Sequence, residues 1–543
     1  MLRIEVPATT AMPEVTALFR DPSRLAAWLG ELPGRTTGER AVRLLDWLTL
    51  AAGAHLEPRR RLNGLGVIES YVLPVIDGLR RATQTAAVPL PPEKQRVLEL
   101  ALALSQQLAL HYCIVARQLA DLQAQADHQA RKMLATALGR GMHFTAQALA
   151  DRYAHYQPIP AGLWLQANQI YDFSETIGVM PAPEARETEV AFHYKRIVAV
   201  ALACPPRLMP GDAETAHALT ADWTDVIHIA QPGTRQPGGR CLVDLAADAP
   251  PRRLRADADQ PAAREPRIVE IDGLLDRLRE TLRESLLSAT RGGHRTLDMA
   301  VRSRRDRLLR LLQAWESRPE RRHAREPAQG RTSVVFGLAR IHALVDPDPQ
   351  PARLAPHKSA EALADEADPW RCRHEPLSDT PDAHTFERVN VSDGGQALRL
   401  RPGARLRLSG EDSSEPLPCC KVGDLVAWRT EDDTTGGWQL ASVRWLQLDA
   451  DGNITLGIMK LGALFEATRA RPVGGPASGG AEVPVLVLRH SPQEPAGQIL
   501  APSAVFDVGT ILEVEHPQRL ARLHLTRQIE ASGCYSRFAS HLV

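Results

Sequence analysis

From about Asp21 to Gly178, apolar residues recur at intervals of three and four positions, the repeat of helices burying one stripe each. Starts and stops are legible within that stretch. Thr36-x-x-Glu39 forms a capping box ahead of Ala41-Val42-Arg43-Leu44-Leu45-Asp46-Trp47-Leu48, and Gly53 lies near the end of that helix. Pro91 and Pro92 precede a long helix through Leu98, Leu100, Leu104 and Leu108 towards Ala120. Helices of this length with short connections predict an antiparallel bundle. Their aliphatic stripes lack paired Glu and His, so the bundle core reads as packing.

Met180-Pro181-Ala182-Pro183-Glu184 interrupts the helical period, and Val190 to Ala203 resumes it. Beyond this point the elements mix. Cys241 to Leu245, Arg267 to Ile271 and Ser333 to Leu338 have strand character, whereas Ile271 to Leu287 and Leu297 to Trp315 have the helical repeat. Asp346-Pro347-Asp348-Pro349-Gln350-Pro351 and the acidic run to Asp368 have linker composition. After it the period switches to short β-rich segments between turn residues: Phe386–Val391, Ala397–Leu408, Asp424–Arg429, Trp438–Leu448 and Asn453–Met459. Asp449-Ala450-Asp451-Gly452-Asn453 between the last two has hairpin-turn chemistry. Arg471 to Gly480 is a Gly/Pro/Ala-rich bridge, after which Val483–Leu488, Gly509–Val514 and Arg519–Arg527 continue as strands. The expected fold is multidomain α+β: an N-terminal helical bundle over 1–182, an α+β middle domain over 183–345, a linker over 346–369, a small antiparallel β-barrel over 370–470 and a C-terminal β-rich module over 481–543.

Composition narrows the function. With 543 residues, 44% hydrophobic and 24% charged, the chain has material for several cores. Lys+Arg and Asp+Glu both number 65, so no net field favours nucleic acid, and none is expected as a partner. Cys113, Cys204, Cys241, Cys372, Cys419, Cys420 and Cys534 are dispersed, with no CxxC pair and no His at ligand spacing. No metal site is expected, and the thiols fit a reducing compartment. The N-terminus has no secretory h-region, and Ser105, Gln106, Gln107 and His111 break the most apolar run, Val97–Val115. A cytoplasmic chain without a transmembrane segment is expected.

The most informative segment is Arg388-Val389-Asn390-Val391-Ser392-Asp393-Gly394-Gly395-Gln396-Ala397-Leu398. A strand-to-strand turn offers backbone N–H groups to an anion, Gly395 permits close approach, and Asn390 and Ser392 add short polar arms. This segment resembles the PilZ family signature (Asp/Asn)-x-Ser-x-x-Gly, carried by Asn390, Ser392 and Gly395. The order of the downstream strands strengthens the likeness: Lys421-Val422-Gly423-Asp424-Leu425-Val426-Ala427-Trp428, then Ser442-Val443-Arg444-Trp445, then Ile454-Thr455-Leu456-Gly457-Ile458-Met459. It is similar to proteobacterial cyclic-di-GMP receptor proteins with a long helical N-terminal region. Upstream, Pro160–Tyr171, Tyr194–Ala203 and Val243–Asp248 look like helical-region segments of the same receptors.

The resemblance implies a PilZ-like β-barrel that takes cyclic-di-GMP at Asn390, Ser392 and Gly395 and reports to a protein partner of a motility or type IV pilus system. Between residue 346 and Asn390, just ahead of the barrel expected here, the family's Arg-x-x-x-Arg pair is missing. The basic groups standing nearest are Arg371 and Arg373, in Arg371-Cys372-Arg373-His374, and Arg388 inside the first motif strand. An alternative is a degenerate barrel that binds partner proteins without nucleotide. No Walker A loop, HExxH or Gly-x-Ser-x-Gly occurs, so no catalytic residues, no cofactor and no enzymatic activity are expected. Asp244 and Asp248 could pair as acid and base in principle, but Pro250-Pro251 marks an ordinary strand-exit turn.

Overall fold

The computed structural model describes residues 6–34, 36–84, 90–121, 128–179, 187–232, 241–254, 263–291, 299–317, 324–346, 383–400, 420–431, 437–475, 480–489, 497–516 and 519–543. Two compact units result, one comprising 1–205 and 213–277, the other 206–212 and 278–543.

In the first unit the helical repeat becomes α1 (Pro13–Arg20), α2 (Pro22–Gly30), α3 (Thr37–Ala52), α4 (Pro58–Thr83), α5 (Pro92–Asp121), α6 (His128–Ala154), α7 (Leu163–Thr176), α8 (Glu189–Leu202) and α9 (Asp212–Asp222). The Thr36 hydroxyl accepts from the Glu39 N–H at 3.2 Å and starts α3 where the capping signal predicts it. Helix α5 is long and apolar enough, by length and composition, to cross a membrane. In this fold it packs against α3, α4 and α6 and buries Leu98, Leu104, Leu108 and Val115 completely. Its polar interruption is also used. Arg61, fully buried on α4, donates to the Ala51 and Ala54 carbonyls at 3.1 and 2.6 Å and to His111 Nδ1 at 2.9 Å. That leaves Nε2 of His111 to donate to the Leu48 carbonyl at 2.9 Å. Burial, then the neighbouring Arg61 charge, pushes His111 down to about 3, so the ring is neutral.

A four-stranded sheet, in the order β1-β4-β2-β3, joins this unit: β1 (His228–Ala230), β2 (Cys241–Asp244), β3 (Arg252–Arg253) and β4 (Pro266–Glu270). The three upstream segments that resemble receptor sequences meet here. Tyr194 donates to the Asn168 side chain at 2.7 Å, whose amide donates to the carbonyls of Asp244 and Ala247. Asp248 accepts from the Gly162 and Leu165 N–H groups at 2.6 and 3.0 Å and caps α7. Asp244 accepts from the N–H groups of Glu265, Arg264 and Ala246. Burial raises its pKa, but those donors outweigh burial and hold it below the ordinary carboxylate range. Both carboxylates are thus spent on backbone donors rather than paired as acid and base.

Helix α10 (Asp272–Arg291) leads into the second unit, which holds α11 (Met299–Glu316), β5 (Glu326–Pro327), β6 (Arg331–Phe336), α12 (Leu338–Val345), β7 (His384–Ser392), β8 (Gly395–Leu400), β9 (Leu425–Thr430), β10 (Gln439–Leu448) and β11 (Ile454–Gly462). The six strands β6 to β11 close into an antiparallel barrel through the β7–β8 pairing, and β5 adds to β7. A second closed barrel is built from β12 (Leu464–Gly474), β13 (Val483–Arg489), β14 (Gln498–Pro502), β15 (Ile511–His516), β16 (Arg519–Ala531) and β17 (Tyr535–Leu542).

The expected segmentation shifts accordingly. Strand β6 comes from ahead of the 346–369 segment, because β7 and β9 both need a partner on that side; β12, expected inside 370–470, goes to the second barrel. The expected middle region is shared out: α8, α9 and β1–β4 with the helices, β6 and α12 with the barrels. The hairpin at Asp449 forms as the turn chemistry predicts, with Leu448 opposite Ile454 and the Asp449 carboxylate accepting from the Asp451 and Asn453 N–H groups.

Candidate functional site

Strands β7 and β8 meet across Asp393 and Gly394, and Ser392 lies opposite Gly395, whose carbonyl accepts the Ser392 hydroxyl at 3.1 Å. Gly395 has φ of 153°, and a Cβ there would stand 2.0 Å from the Ile458 carbonyl oxygen of β11. Its first role is therefore steric, since β8 can approach β11 this closely only without a side chain.

Cross-strand register aligns the outward-facing residues in rows. Asn390 lies opposite Ala397, Ala397 opposite Gly457, and Gly457 opposite Trp445. Two small residues thus separate an amide from an indole. A Cβ on Gly457 would fall 1.9 Å from Trp445 Nε1, so the indole lies flat over the glycine. The parallel row on the same face carries Glu387, Arg399 and Thr455. Among the described residues, Asn390 and Arg399 have no side-chain hydrogen-bond or ion-pair partner, and Arg399 Nε is buried without one. The result is a shallow face with an amide, a hydroxyl, a guanidinium and a half-buried indole. Such a set can hydrogen-bond a base edge, attract a phosphate and stack a planar ring.

The structure thus brings Asn390, Ser392 and Gly395 together at one hairpin. Arg388 does not join them. A bulge between Arg388 and Asn390 places Arg388 opposite Leu398, and through it level with the buried Leu456, on the other face of the sheet. Arg371 and Arg373 lie outside the described residues. Arg399 and Trp445 were missed as site residues. Arg399 was within reach of the sequence, being two residues beyond Ala397 on the strand after the motif; Trp445 needed the register of β8, β11 and β10. No cluster of three or more metal-ligating side chains occurs among the described residues.

Residues 23–233 match the family model described as the N-terminal domain of the cyclic-di-GMP receptor FimW. Over 581 aligned residues, spanning 99% of this chain and 93% of the relative, the sequence is 22% identical to the cyclic-di-GMP receptor FimW of Pseudomonas aeruginosa. The likeness to cyclic-di-GMP receptor proteins with a long helical N-terminal region therefore stands, and it extends through that helical region.

Proposed function

We propose that this chain is a receptor for cyclic-di-GMP, a ligand with two guanines and two phosphates, and that it takes the ligand on the outward face of β7, β8, β11 and β10. The observation that carries the reading is the row Asn390–Ala397–Gly457–Trp445, with Arg399 beside it, a side chain that makes no hydrogen bond or salt bridge among the described residues. Asn390 and Ser392 hydrogen-bond guanine edges or phosphate oxygens, Arg399 neutralises phosphate charge, and Trp445 stacks a purine. Arg371 and Arg373 supply further cations. Binding shifts a conformational equilibrium by as much as the ligand prefers one state, and a protein partner in surface motility or type IV pilus control reads the shift. The site of action is the cytoplasm, and the chain performs no catalysis.

Because the barrel begins at β6 rather than after residue 369, the Arg-x-x-x-Arg spacing does stand ahead of it in sequence, as Arg321-Arg322-His323-Ala324-Arg325, which supports the receptor; the second reading is an adaptor that keeps the barrel and has lost the nucleotide. Calorimetric titration of the full chain with cyclic-di-GMP, with GTP as control, decides between them. The receptor reading expects micromolar or tighter binding that is lost in Asn390→Ala/Ser392→Ala and weakened in Arg399→Gln. No heat at high ligand concentration would leave the adaptor.

A further inference from the structure

The two barrels have one connectivity. In each, the first strand pairs with the second and fourth, the third with the second and sixth, and the fifth with the fourth and sixth. Their turns agree in detail. Gly423 before β9 has φ of 91° and Gly509 before β15 has φ of 90°. Gly423 N–H donates to the Val443 carbonyl while Val443 N–H donates to the Asp424 carbonyl, both at 2.9 Å. In the second barrel Gly509 N–H donates to the Leu525 carbonyl at 2.7 Å while Leu525 N–H donates to the Thr510 carbonyl at 2.9 Å. The β13–β14 connection therefore corresponds to the motif hairpin, and β13, β14, β17 and β16 correspond to the candidate ligand face.

That face has changed character. Where the first barrel has Asn390, Ala397, Gly457 and Trp445 in a row, register in the second gives Leu486, Leu500, Arg537 and Glu530. Leu486, Leu488, Leu500 and Tyr535 are fully buried, in one core cluster with Val335, Leu425, Ala427 and Leu440 of the first barrel and Leu338 and Ile341 of α12. Glu530 accepts from Arg444 at 2.6 Å, and Arg444 is the neighbour of Trp445 at a bulge in β10.

We propose that the second barrel is a copy of the first whose ligand face has become a docking face for its twin, so that the chain takes up nucleotide at one barrel only. That the ligand is a nucleotide rests on the proposed function; the docking does not. Two leucines replace the polar arm and the small residue that leave room for a ligand, and apolar rows of this kind are stable only when covered. The docked barrel packs against Leu440 of β10 and holds Arg444, the neighbour of Trp445, through Glu530.

Hydrogen-exchange mass spectrometry on the full chain tests both parts. Without ligand, Leu486→Ala, Leu500→Ala and the milder Arg444→Gln are each expected to speed exchange severalfold across both barrels, in 425–430 and 439–448 as well as in 483–489 and 498–502. Faster exchange confined to the mutated barrel would overturn the docking. With cyclic-di-GMP added to wild type, protection is expected at 384–400 and 439–462 and not at 498–502 or 535–542; protection in the second barrel's strands would overturn the single-site claim. If cyclic-di-GMP protects nothing, the proposed function fails while the ligand-free variants still decide the docking.

Discussion

Replacing Gly395 by Ala tests whether the motif glycine serves the fold before any ligand. The new Cβ would stand 2.0 Å from the Ile458 oxygen, 3.0 Å from its carbonyl carbon and 3.1 Å from Met459 Cα, all backbone atoms that no rotamer change can move. Relief requires β8 to draw away from β11, at the cost of ladder bonds next to the one that Lys460 N–H gives Gly394 at 3.0 Å. A strained positive φ costs about 1 kcal/mol and overpacking about 2 kcal/mol, so the barrel should lose about 3 kcal/mol. Gly437→Ala is the matched control, because nothing lies within 4 Å of its built Cβ; it should stay within about 0.5 kcal/mol of wild type. A chain of several units does not unfold in one step, so the assay is urea-dependent exchange read on peptides from β8 and β11. Should Gly395→Ala match Gly437→Ala there, the close β8–β11 approach is not what requires glycine, and a ligand role becomes its only explanation.

Trp445→Ala should weaken cyclic-di-GMP affinity about fivefold or more, since stacking is worth about 1–3 kcal/mol per base, with β10 exchange little changed; unchanged affinity in calorimetry would remove the indole from the site. The helical unit should lose stability in acid. His111 is held at about 3 against an ordinary 6.5, and His143, His193 and His217 lie at about 4, 2 and 3, each depressed first by burial and then by neighbouring positive charge. A depressed histidine stabilises fully above 6.5 and loses that contribution as pH falls towards the folded value, so His111 alone should cost about 2 kcal/mol by pH 5. Denaturant midpoints for helical-unit peptides that agree at pH 7.5 and pH 5 would contradict the buried neutral ring. Asp248→Ala removes the acceptor at the start of α7 and should cost about 1 kcal/mol, seen as faster exchange in 163–168; Asp248→Asn should retain most of it.

Local signals determined what lies in short windows. The capping Thr36, the prolines ahead of α5, the Asp449 hairpin and the Asn390–Gly395 turn are each set by neighbours a few residues away, so the sequence alone located them. The motif also carried the resemblance that the aligned relative supports across the chain. Pairing between distant strands is a different kind of fact. That β6 crosses ahead of the 346–369 segment to join β7 and β9, that β12 leaves the first barrel for the second, and that a bulge turns Arg388 away from Asn390 all depend on which backbone donors find which acceptors after closure. The site divided the same way: Asn390 and Ser392 were legible as a motif, whereas Trp445 reaches them only through the register of three strand pairs. The repeat of the barrel was invisible in sequence because its two copies share hydrogen-bond connectivity, which side chains do not spell out, and differ in the residues that face outward, where one copy stays open and the other is buried.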